Sequence, residues 1–302
     1  MMRRLTNSPS ARFVLITGAS SGIGRACAVR LANKGFRVLA TVRTDADALG
    51  IEAAAPGAAH PIRAVQLDVT DPASISAAAR AVQSAVGDDG LFALVNNAGI
   101  CVVGPAECVS LTEWKHQFDV NFFGLIAITQ AMLPLLRIHS QRHISPPPRI
   151  VNISSVTGTV PTPLFGAYSA SKAAVESLSD TMRRELHGHG IRLSIIIPGT
   201  IQSEIWRKEK AGVDALLARP DCQRLYSRLI ASVAGYVFSV ADKAKPAELV
   251  AAAVERCLTR RNPPIRVLVA WEARVGLLAR WFFPDRVFDF LMRKTFGLGR
   301  ER

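Results

Sequence analysis

The chain has 302 residues, 49% of them hydrophobic, and its 37 Lys and Arg against 24 Asp and Glu give a formal net charge of +13. This length suffices for one large α/β domain with a substantial core. The five cysteines form no Cys-x-x-Cys pair and the six histidines no ligand pattern, which argues against a metal site or a disulfide framework. The N-terminus has no apolar h-region, and no uninterrupted apolar stretch is long enough to span a bilayer, so we expect a cytoplasmic protein.

The first predicted strand leads directly into a glycine-rich turn. Phe13–Ile16 is a short apolar run, Thr-Gly-x-x-x-Gly-x-Gly follows it, and a helix-like stretch begins near Arg25. Glycines at 18, 22 and 24 allow positive φ and close backbone approach, and a helix N-terminus presents free N–H groups to a pyrophosphate. The order strand, glycine turn, helix predicts a dinucleotide-binding site.

Further apolar runs predict the rest of the fold. They lie near residues 12–17, 36–42, 62–68, 91–95, 149–153 and 192–197. Because they alternate with helix-like stretches, we expect an α/β fold with a Rossmann-like, doubly wound parallel sheet. We expect one catalytic domain over residues 1–270 and a basic amphipathic extension over residues 271–302.

Three side chains in the second half of the chain suit proton transfer. Tyr168 and Lys172 lie four residues apart in a helix-like stretch, so both should project from one face. An adjacent ammonium favours the phenolate and lowers a tyrosine pKa from its usual value of about 10, which makes Tyr168 a usable general acid or base. Ser155 follows a buried-strand run and offers a hydroxyl to a substrate oxygen. The set predicts hydride-transfer chemistry on a carbonyl or alcohol.

Together these motifs resemble those of the short-chain dehydrogenases/reductases. The glycine turn is followed in order by Asn-Asn-Ala-Gly at residues 96–99, by Asn121 within Asp-Val-Asn-Phe-Phe-Gly, and by Tyr-x-x-x-Lys. The likeness extends from about Arg12 to about Gly199, and it is greatest to the hydroxysteroid and retinol dehydrogenase side of the family. It implies an NAD(P)-dependent oxidoreductase acting on CH-OH or C=O groups.

The resemblance also implies a role for each catalytic residue. Tyr168 would exchange the proton, and Lys172 would lower its pKa and hold the nicotinamide ribose. Ser155 would orient the carbonyl oxygen, and Asn121 would support a water-mediated proton relay to Lys172. Ser154 is the rival to Ser155, but the thirteen-residue step from Ser155 to Tyr168 fits the family better.

A cofactor site is implied from the glycine turn to the end of the sixth predicted strand. Asp68 would contact the adenine, Val69 would pack on its ring, and Pro198 and Gly199 would lie beside the nicotinamide. The expected cofactor-binding residues are Gly18, Ser20, Ser21, Gly22, Ile23, Gly24, Arg43, Asp68, Val69, Asn97, Ala98, Gly99, Tyr168, Lys172, Pro198, Gly199, Ile201 and Ser203.

The end of the second predicted strand bears on the choice of cofactor. NAD-preferring relatives carry a carboxylate there for the ribose 2′-hydroxyl, whereas this chain has Val42 followed by Arg43. An arginine pairs with a 2′-phosphate, so NADP(H) is favoured. NAD(H) is the alternative, because Asp45 and Asp47 follow closely.

The substrate is indicated only by composition and resemblance. A substrate loop over residues 200–245 is rich in apolar side chains, which favours a small hydrophobic alcohol or ketone that is steroid-, retinoid- or lipid-like. Arg207, Lys208 and Lys210 keep 3-oxoacyl or hydroxy-acid substrates as an alternative. A non-catalytic nicotinamide-sensing regulator is a further alternative, which the intact proton-transfer residues disfavour.

Much of the positive charge lies near the C-terminus. Residues 256–302 hold eleven Lys or Arg against four Asp or Glu, interleaved with apolar residues at helical spacing. Such a tail suits peripheral contact with an anionic membrane, or packing over the substrate cleft or a second subunit. Nucleic acid is disfavoured because no recognition motif is present. The resemblance implies a homodimer or homotetramer through helices near residues 112–138 and 166–188.

Overall fold

A parallel β-sheet forms the centre of the molecule. The computed structural model describes residues 12–142, 146–202, 212–241 and 243–298. The strands are β1 Phe13–Ile16, β2 Arg37–Val42, β3 Arg63–Gln66, β4 Ala93–Asn96, β5 Arg149–Ile153, β6 Arg192–Pro198 and β7 Arg266–Val269. Their order in the sheet is β3-β2-β1-β4-β5-β6-β7, and every neighbouring pair is parallel. The predicted doubly wound sheet is confirmed, and β7 is a strand that the sequence did not lead us to predict.

Helices connect the strands and cover both faces of the sheet. They are α1 Gly22–Asn33, α2 Asp45–Glu52, α3 Pro72–Val86, α4 Leu111–Phe118, α5 Gly124–Arg142, α6 Gly166–Glu185, α7 Pro220–Ala241, α8 Glu248–Thr259, α9 Trp271–Phe282 and α10 Asp285–Thr295. A π-helical turn, Asp119–Phe123, joins α4 to α5. This arrangement leaves the carboxyl ends of the strands as the edge at which loops gather, which is where ligands bind in such sheets.

Alternate residues along each strand point to opposite faces, which creates two cores. Val14 and Ile16 of β1 belong to the cluster beneath α1 and α8, whereas Leu15 belongs to the cluster beneath α3 and α5. All three are fully buried. A sheet buried on both faces explains why its strands read as continuous apolar runs.

The helical segment 111–142 is long and apolar enough, by length and composition, to cross a membrane, although the sequence suggested no such stretch. Of its most apolar window, 44% is buried, and α5 places Ile128, Met132 and Leu136 in the core beneath the sheet. The core helix of a soluble protein passes the same test, so the length and composition of this segment are weak evidence for a membrane span.

The expected substrate loop is mainly helical in its described part. Residues 212–217 are helical, and α7 follows them. The spacing of Cys222, Ile230 and Val233 explains the helix, because these side chains share one face and are fully buried in a third apolar cluster. Ile205, Trp206, Arg207, Lys208 and Lys210 lie outside the described residues.

The C-terminal extension forms two helices joined by a short bend at Phe283 and Pro284. Ala273 of α9 and Phe288 of α10 are buried. Phe296, just after α10, is buried in the third apolar cluster with Ile230 and Val233 of α7, so the end of the extension packs over the segment that contains α7. Many large apolar side chains on its other side remain exposed.

Candidate active site

The tight turn after β1 requires glycine at two positions. Gly18 has φ +64°, and a Cβ there would lie 2.9 Å from the Cα of Ala98. A Cβ on Gly24 would lie 2.2 Å from the carbonyl oxygen of Gly18, so α1 packs directly against the turn. Ser21 precedes α1 without a side-chain hydrogen bond to its first N–H groups. The backbone of the turn is thus available to an anionic group.

Thr17 fastens the glycine turn to the residues after β4. Its Oγ1 accepts hydrogen bonds from the backbone N–H groups of Asn97, at 2.9 Å, and Ala98, at 3.0 Å. The side-chain amide of Asn97 in turn donates to the carbonyl oxygens of Thr17 and Gly18, at 2.9 and 3.0 Å. We did not identify Thr17 as a site residue, although it stands directly before the first glycine of the motif.

The edge of the sheet at β2 and β3 places a cation and a carboxylate along one cavity. Arg43 is exposed, and both Arg43 and Asp68 line the cavity. Hydrogen bonds from Thr70 Oγ1, at 2.7 Å, and Thr70 N, at 2.9 Å, lower the pKa of Asp68, and the charge of Arg43 lowers it further. Asp68 is therefore anionic at neutral pH.

Asp45 and Asp47, the carboxylates that suggested NAD(H) as the alternative cofactor, lie at the start of α2. Asp45 accepts a hydrogen bond from the side-chain amide of Gln66. Among the described residues, those that line the cavity include Arg43 but neither Asp45 nor Asp47. This arrangement leaves Arg43 as the charged group nearest the end of β2 on the cavity wall.

Tyr168 and Lys172 project from the first turns of α6 toward the end of β5. The Nζ of Lys172 donates a 2.9 Å hydrogen bond to the carbonyl oxygen of Ile153 and lies 5.7 Å from the centre of the Tyr168 ring. The ammonium is buried, and burial lowers the pKa of Lys172 from 10.5 to about 8. At pH 7 the side chain therefore remains mainly protonated beside the phenol.

Ser155 lies just beyond β5, at the start of a short turn over residues 156–158. Its Oγ accepts hydrogen bonds from the backbone N–H of Thr157, at 3.2 Å, and from Thr157 Oγ1, at 3.0 Å. A hydroxyl has two acceptor sites and one proton, so this arrangement leaves the proton of Ser155 for another oxygen. Ser154 is buried, and its Oγ has no hydrogen-bond partner among the described residues.

Asn121 lies within the π-helical turn and is fully buried. Its Oδ1 accepts from the N–H of Ile100 at 2.9 Å, and its Nδ2 donates to the carbonyl oxygen of Ile100 at 3.0 Å and to Ser171 Oγ at 3.1 Å. Asn121 therefore ties the loop after β4 to α6, the helix that carries Tyr168 and Lys172. π-Turns of this kind occur often at functional sites.

These groups surround one cavity of about 450 Å³. Of the expected site residues, the cavity is lined by Gly18, Ser20, Ser21, Gly22, Ile23, Arg43, Asp68, Val69, Asn97, Ala98, Gly99, Ser155, Tyr168, Lys172, Pro198, Gly199 and Ile201. Gly24 and Asn121 are not among the lining residues. Ser203 lies outside the described residues.

The far end of the cavity contains residues that we did not single out from the sequence. Phe165 precedes α6, Tyr236 and Val240 come from α7, and Phe296 comes from the C-terminal extension. The spacing of Phe288, Met292 and Phe296 was the available signal, since it places three apolar side chains on one face of a helix. This end of the cavity is mainly apolar.

The residues present fit a nicotinamide dinucleotide. The glycine turn has no room for a Cβ at Gly18 or Gly24, as a backbone cradle for a pyrophosphate requires. Arg43 and Asp68 line the same cavity as Tyr168 and Lys172, so one elongated molecule can contact both pairs. Among the described residues, no group of three His, Cys, Asp or Glu side chains is placed to hold a metal ion.

Comparison with known proteins agrees with this geometry. A family model described as short chain dehydrogenase matches residues 12–214. A relative named NADPH-dependent 3-dehydrocapnine reductase, from Ornithobacterium rhinotracheale, is 33% identical over 94% of this chain and 96% of its own length. Retinol dehydrogenase 5 from Mus musculus is 33% identical over 94% of this chain and 88% of its own length.

The fold is likewise that of solved relatives. The structure of a short-chain dehydrogenase from Streptomyces avermitilis superposes with a TM-score of 0.73 at 29% identity, covering 97% of this chain and 99% of that one. The resemblance to the hydroxysteroid and retinol dehydrogenases is confirmed by relatives of both kinds. The chain therefore belongs to the short-chain dehydrogenase/reductase family, on the side of the retinol and hydroxysteroid dehydrogenases, and is an NAD(P)-dependent oxidoreductase.

Proposed function

We propose that this protein interconverts a hydrophobic alcohol and its ketone or aldehyde, using NADP(H), with Tyr168 as the general acid or base. The observation that carries the proposal is one cavity lined by the glycine turn, by Tyr168 and Lys172, and by apolar side chains such as Phe296. The glycine turn suits a dinucleotide, and the apolar side chains suit an apolar substrate. The proton-transfer residues line the same cavity.

Each catalytic side chain has a physical task. Tyr168 gives its phenolic proton to the carbonyl oxygen in reduction and takes it from the hydroxyl in oxidation. The nearby ammonium of Lys172 stabilises the phenolate, and its bond to Ile153 holds it in position. Ser155 donates a hydrogen bond from its hydroxyl to the same substrate oxygen and keeps its proton. The nicotinamide, when bound, supplies or receives the hydride.

Asn121 acts as a positioning residue in this scheme. Its three hydrogen bonds fix Ile100 and Ser171, and they thereby hold the loop after β4 against α6. The expected water-mediated relay to Lys172 remains a proposal. It is supported by the burial of Asn121 next to the helix that carries Lys172.

The preference for NADP(H) rests on Arg43. Its guanidinium lines the cavity at the end of β2, where it can pair with a 2′-phosphate, while Asp45 is engaged by Gln66. The relative from Ornithobacterium rhinotracheale is itself named NADPH-dependent. We expect Arg43→Ala to weaken NADPH binding at least about tenfold and to leave NADH binding nearly unchanged.

Arg37→Ala is the matched control, since Arg37 begins the same strand at its opposite end. Dissociation constants for NADPH and NADH, measured by the quenching of protein fluorescence, test the preference for NADP(H). An equal loss of affinity for both cofactors in Arg43→Ala would contradict that preference.

The substrate class is inferred from the apolar end of the cavity and from relatives named for retinol and hydroxysteroids. A steroid-, retinoid- or lipid-like alcohol or ketone suits this lining. The alternative of a 3-oxoacyl or hydroxy-acid substrate depended on Arg207, Lys208 and Lys210, which lie outside the described residues. No contact in the described part of the chain favours that alternative.

A panel of steroid, retinoid, aliphatic and 3-oxoacyl carbonyls and alcohols, followed by nicotinamide absorbance, tests the substrate class. We expect the apolar members to give the highest kcat/KM. A preference for the anionic 3-oxoacyl substrates would contradict the proposal while leaving an oxidoreductase in place.

We also propose a cytoplasmic homodimer or homotetramer whose residues 1–270 form the catalytic domain and whose residues 271–302 form an extension that contacts a membrane peripherally. Leu111, at the start of α4, and Phe123, in the π-helical turn that joins α4 to α5, are exposed and support a subunit contact there. Sedimentation in the absence of lipid tests the oligomer. The exposed side of the extension supports the membrane contact.

A further inference from the structure

The C-terminal hairpin, defined here as α9, the bend at Phe283 and Pro284, and α10, exposes an unusual amount of apolar surface. Trp281 is 80% exposed, Phe282 67% and Trp271 63%. Val275, Leu278, Phe283, Val287, Phe290 and Leu291 are exposed as well. Soluble monomers rarely leave so many large apolar side chains together in water, so we expect another molecule to cover this surface.

The placement of the exposed aromatic rings favours a lipid surface as the occupant. Trp271, Val275, Leu278 and Phe282 follow one another at helical spacing along α9, and Trp281 and Phe282 lie at its end, next to the bend. The most exposed aromatic rings thus stand at the turn of the hairpin. Aromatic side chains placed in this way insert into the interface between lipid headgroups and acyl chains.

The charges of the hairpin complement an anionic surface. Arg274, Arg286, Arg293 and Lys294 are exposed. Arg280 pairs with Asp285 at 2.6 Å, which leaves the remaining basic residues in excess of Glu272 and Asp289. Basic residues beside exposed aromatic rings are typical of helices that lie on anionic membranes.

The C-terminal end of the hairpin reaches the substrate cavity through Phe296. Phe296, just after the helix, is buried, lines the cavity, and lies with its ring centre 4.9 Å from that of Tyr236. Ser232 Oγ donates to the carbonyl oxygen of Phe296, which fixes the end of the hairpin to α7. Phe288 of α10 is buried, whereas Val287 and Leu291 are exposed.

We propose that the C-terminal hairpin docks onto an anionic lipid surface through its exposed aromatic rings and basic residues, and that docking holds the apolar end of the substrate cavity against the membrane. An apolar substrate dissolved in the membrane then enters the cavity past α10. The second part rests on the proposed function, because it assumes an apolar substrate. The docking itself does not.

Vesicle co-sedimentation of the full chain tests the docking. We expect binding to vesicles of equal parts phosphatidylcholine and phosphatidylglycerol, little binding to phosphatidylcholine alone, and weakening at high salt. The double variant Trp281→Ser, Phe282→Ser should bind at least about tenfold more weakly, because it removes the two rings at the bend. Leu49→Ser is the matched control, since Leu49 is 71% exposed but lies on α2.

Two results would overturn the docking. One is vesicle binding by the double variant equal to that of the wild type. The other is a lipid-free dimer that the double variant dissociates, because the occupant of the hairpin would then be a second copy of this chain. Tyr168→Phe should bind vesicles like the wild type, so a failure of the proposed chemistry is separable from a failure of docking.

Substrate delivery tests the second part. With a retinoid held in the vesicles, the double variant should turn over more slowly than the wild type. With a short, water-soluble ketone, the two proteins should have the same rate. Equal rates with both substrates would overturn the proposed route of entry.

Discussion

Lys172 allows the electrostatics of the site to be tested without any substrate. Burial lowers the pKa of its ammonium to about 8 in the folded protein, and in the unfolded chain the pKa returns to about 10.5. Below pH 8 both states hold the proton, and the folded protein bears the full cost of the buried charge. Between these two pKa values only the unfolded chain holds it, so stability rises with pH.

The size of this effect follows from the same values. The difference between 10.5 and about 8, at about 1.4 kcal/mol for each pH unit, gives about 3 kcal/mol, most of which has developed by pH 10. Lys172→Met lacks this titration. It also leaves the carbonyl of Ile153 without its partner, a cost of roughly 1–3 kcal/mol that does not depend on pH.

Urea unfolding of the cofactor-free protein from pH 7 to pH 10, at one protein concentration, measures the effect. The free energy of unfolding of the wild type should rise by roughly 2–3 kcal/mol relative to that of Lys172→Met across this range. Lys115→Met is the control, because Lys115 is exposed on α4. The free energies of unfolding of this variant and of the wild type should differ by the same amount at every pH. A constant difference for Lys172→Met as well would refute the account of a charge held in the core.

Two further substitutions test the framework of the site. Gly24→Ala places a Cβ 2.2 Å from the Gly18 carbonyl oxygen, so the turn must shift and NADPH binding should fall at least about tenfold; Gly50→Ala, where nothing lies within 4 Å, should bind as the wild type does. Asn121→Leu leaves both backbone groups of Ile100 unpaired and should lower the free energy of unfolding by about 3 kcal/mol in urea titrations. Normal cofactor affinity in Gly24→Ala, or unchanged stability in Asn121→Leu, would contradict these assignments.

Much of the site could be predicted because its chemistry depends on short-range spacing. The four-residue step from Tyr168 to Lys172 places both side chains on one face of α6, and the glycine turn requires small residues wherever it is built. The strands were predictable for a related reason. A parallel sheet buried on both faces needs continuous apolar runs, and such runs are visible in the sequence.

The parts that were missed depend on tertiary contacts. β7 begins with Arg266, and only its last three residues are apolar, so its sequence does not indicate a buried strand. Its pairing with β6 in the structure identifies it as one. Phe296 stands more than fifty residues from α7 in sequence, and only the packing of the hairpin brings it into the cavity. Thr17 was overlooked because its role lies in two backbone bonds to a distant strand end.

The central claim is that Tyr168 transfers the proton, and Tyr168→Phe tests it most directly. We would measure NADPH oxidation with the best carbonyl substrate alongside NADPH affinity by fluorescence, using Tyr226→Phe, whose hydroxyl pairs with Glu107 outside the cavity, as the control. The account predicts a loss in kcat of roughly a hundredfold to ten-thousandfold for Tyr168→Phe, with cofactor affinity retained. Turnover in Tyr168→Phe equal to that of the wild type would contradict it.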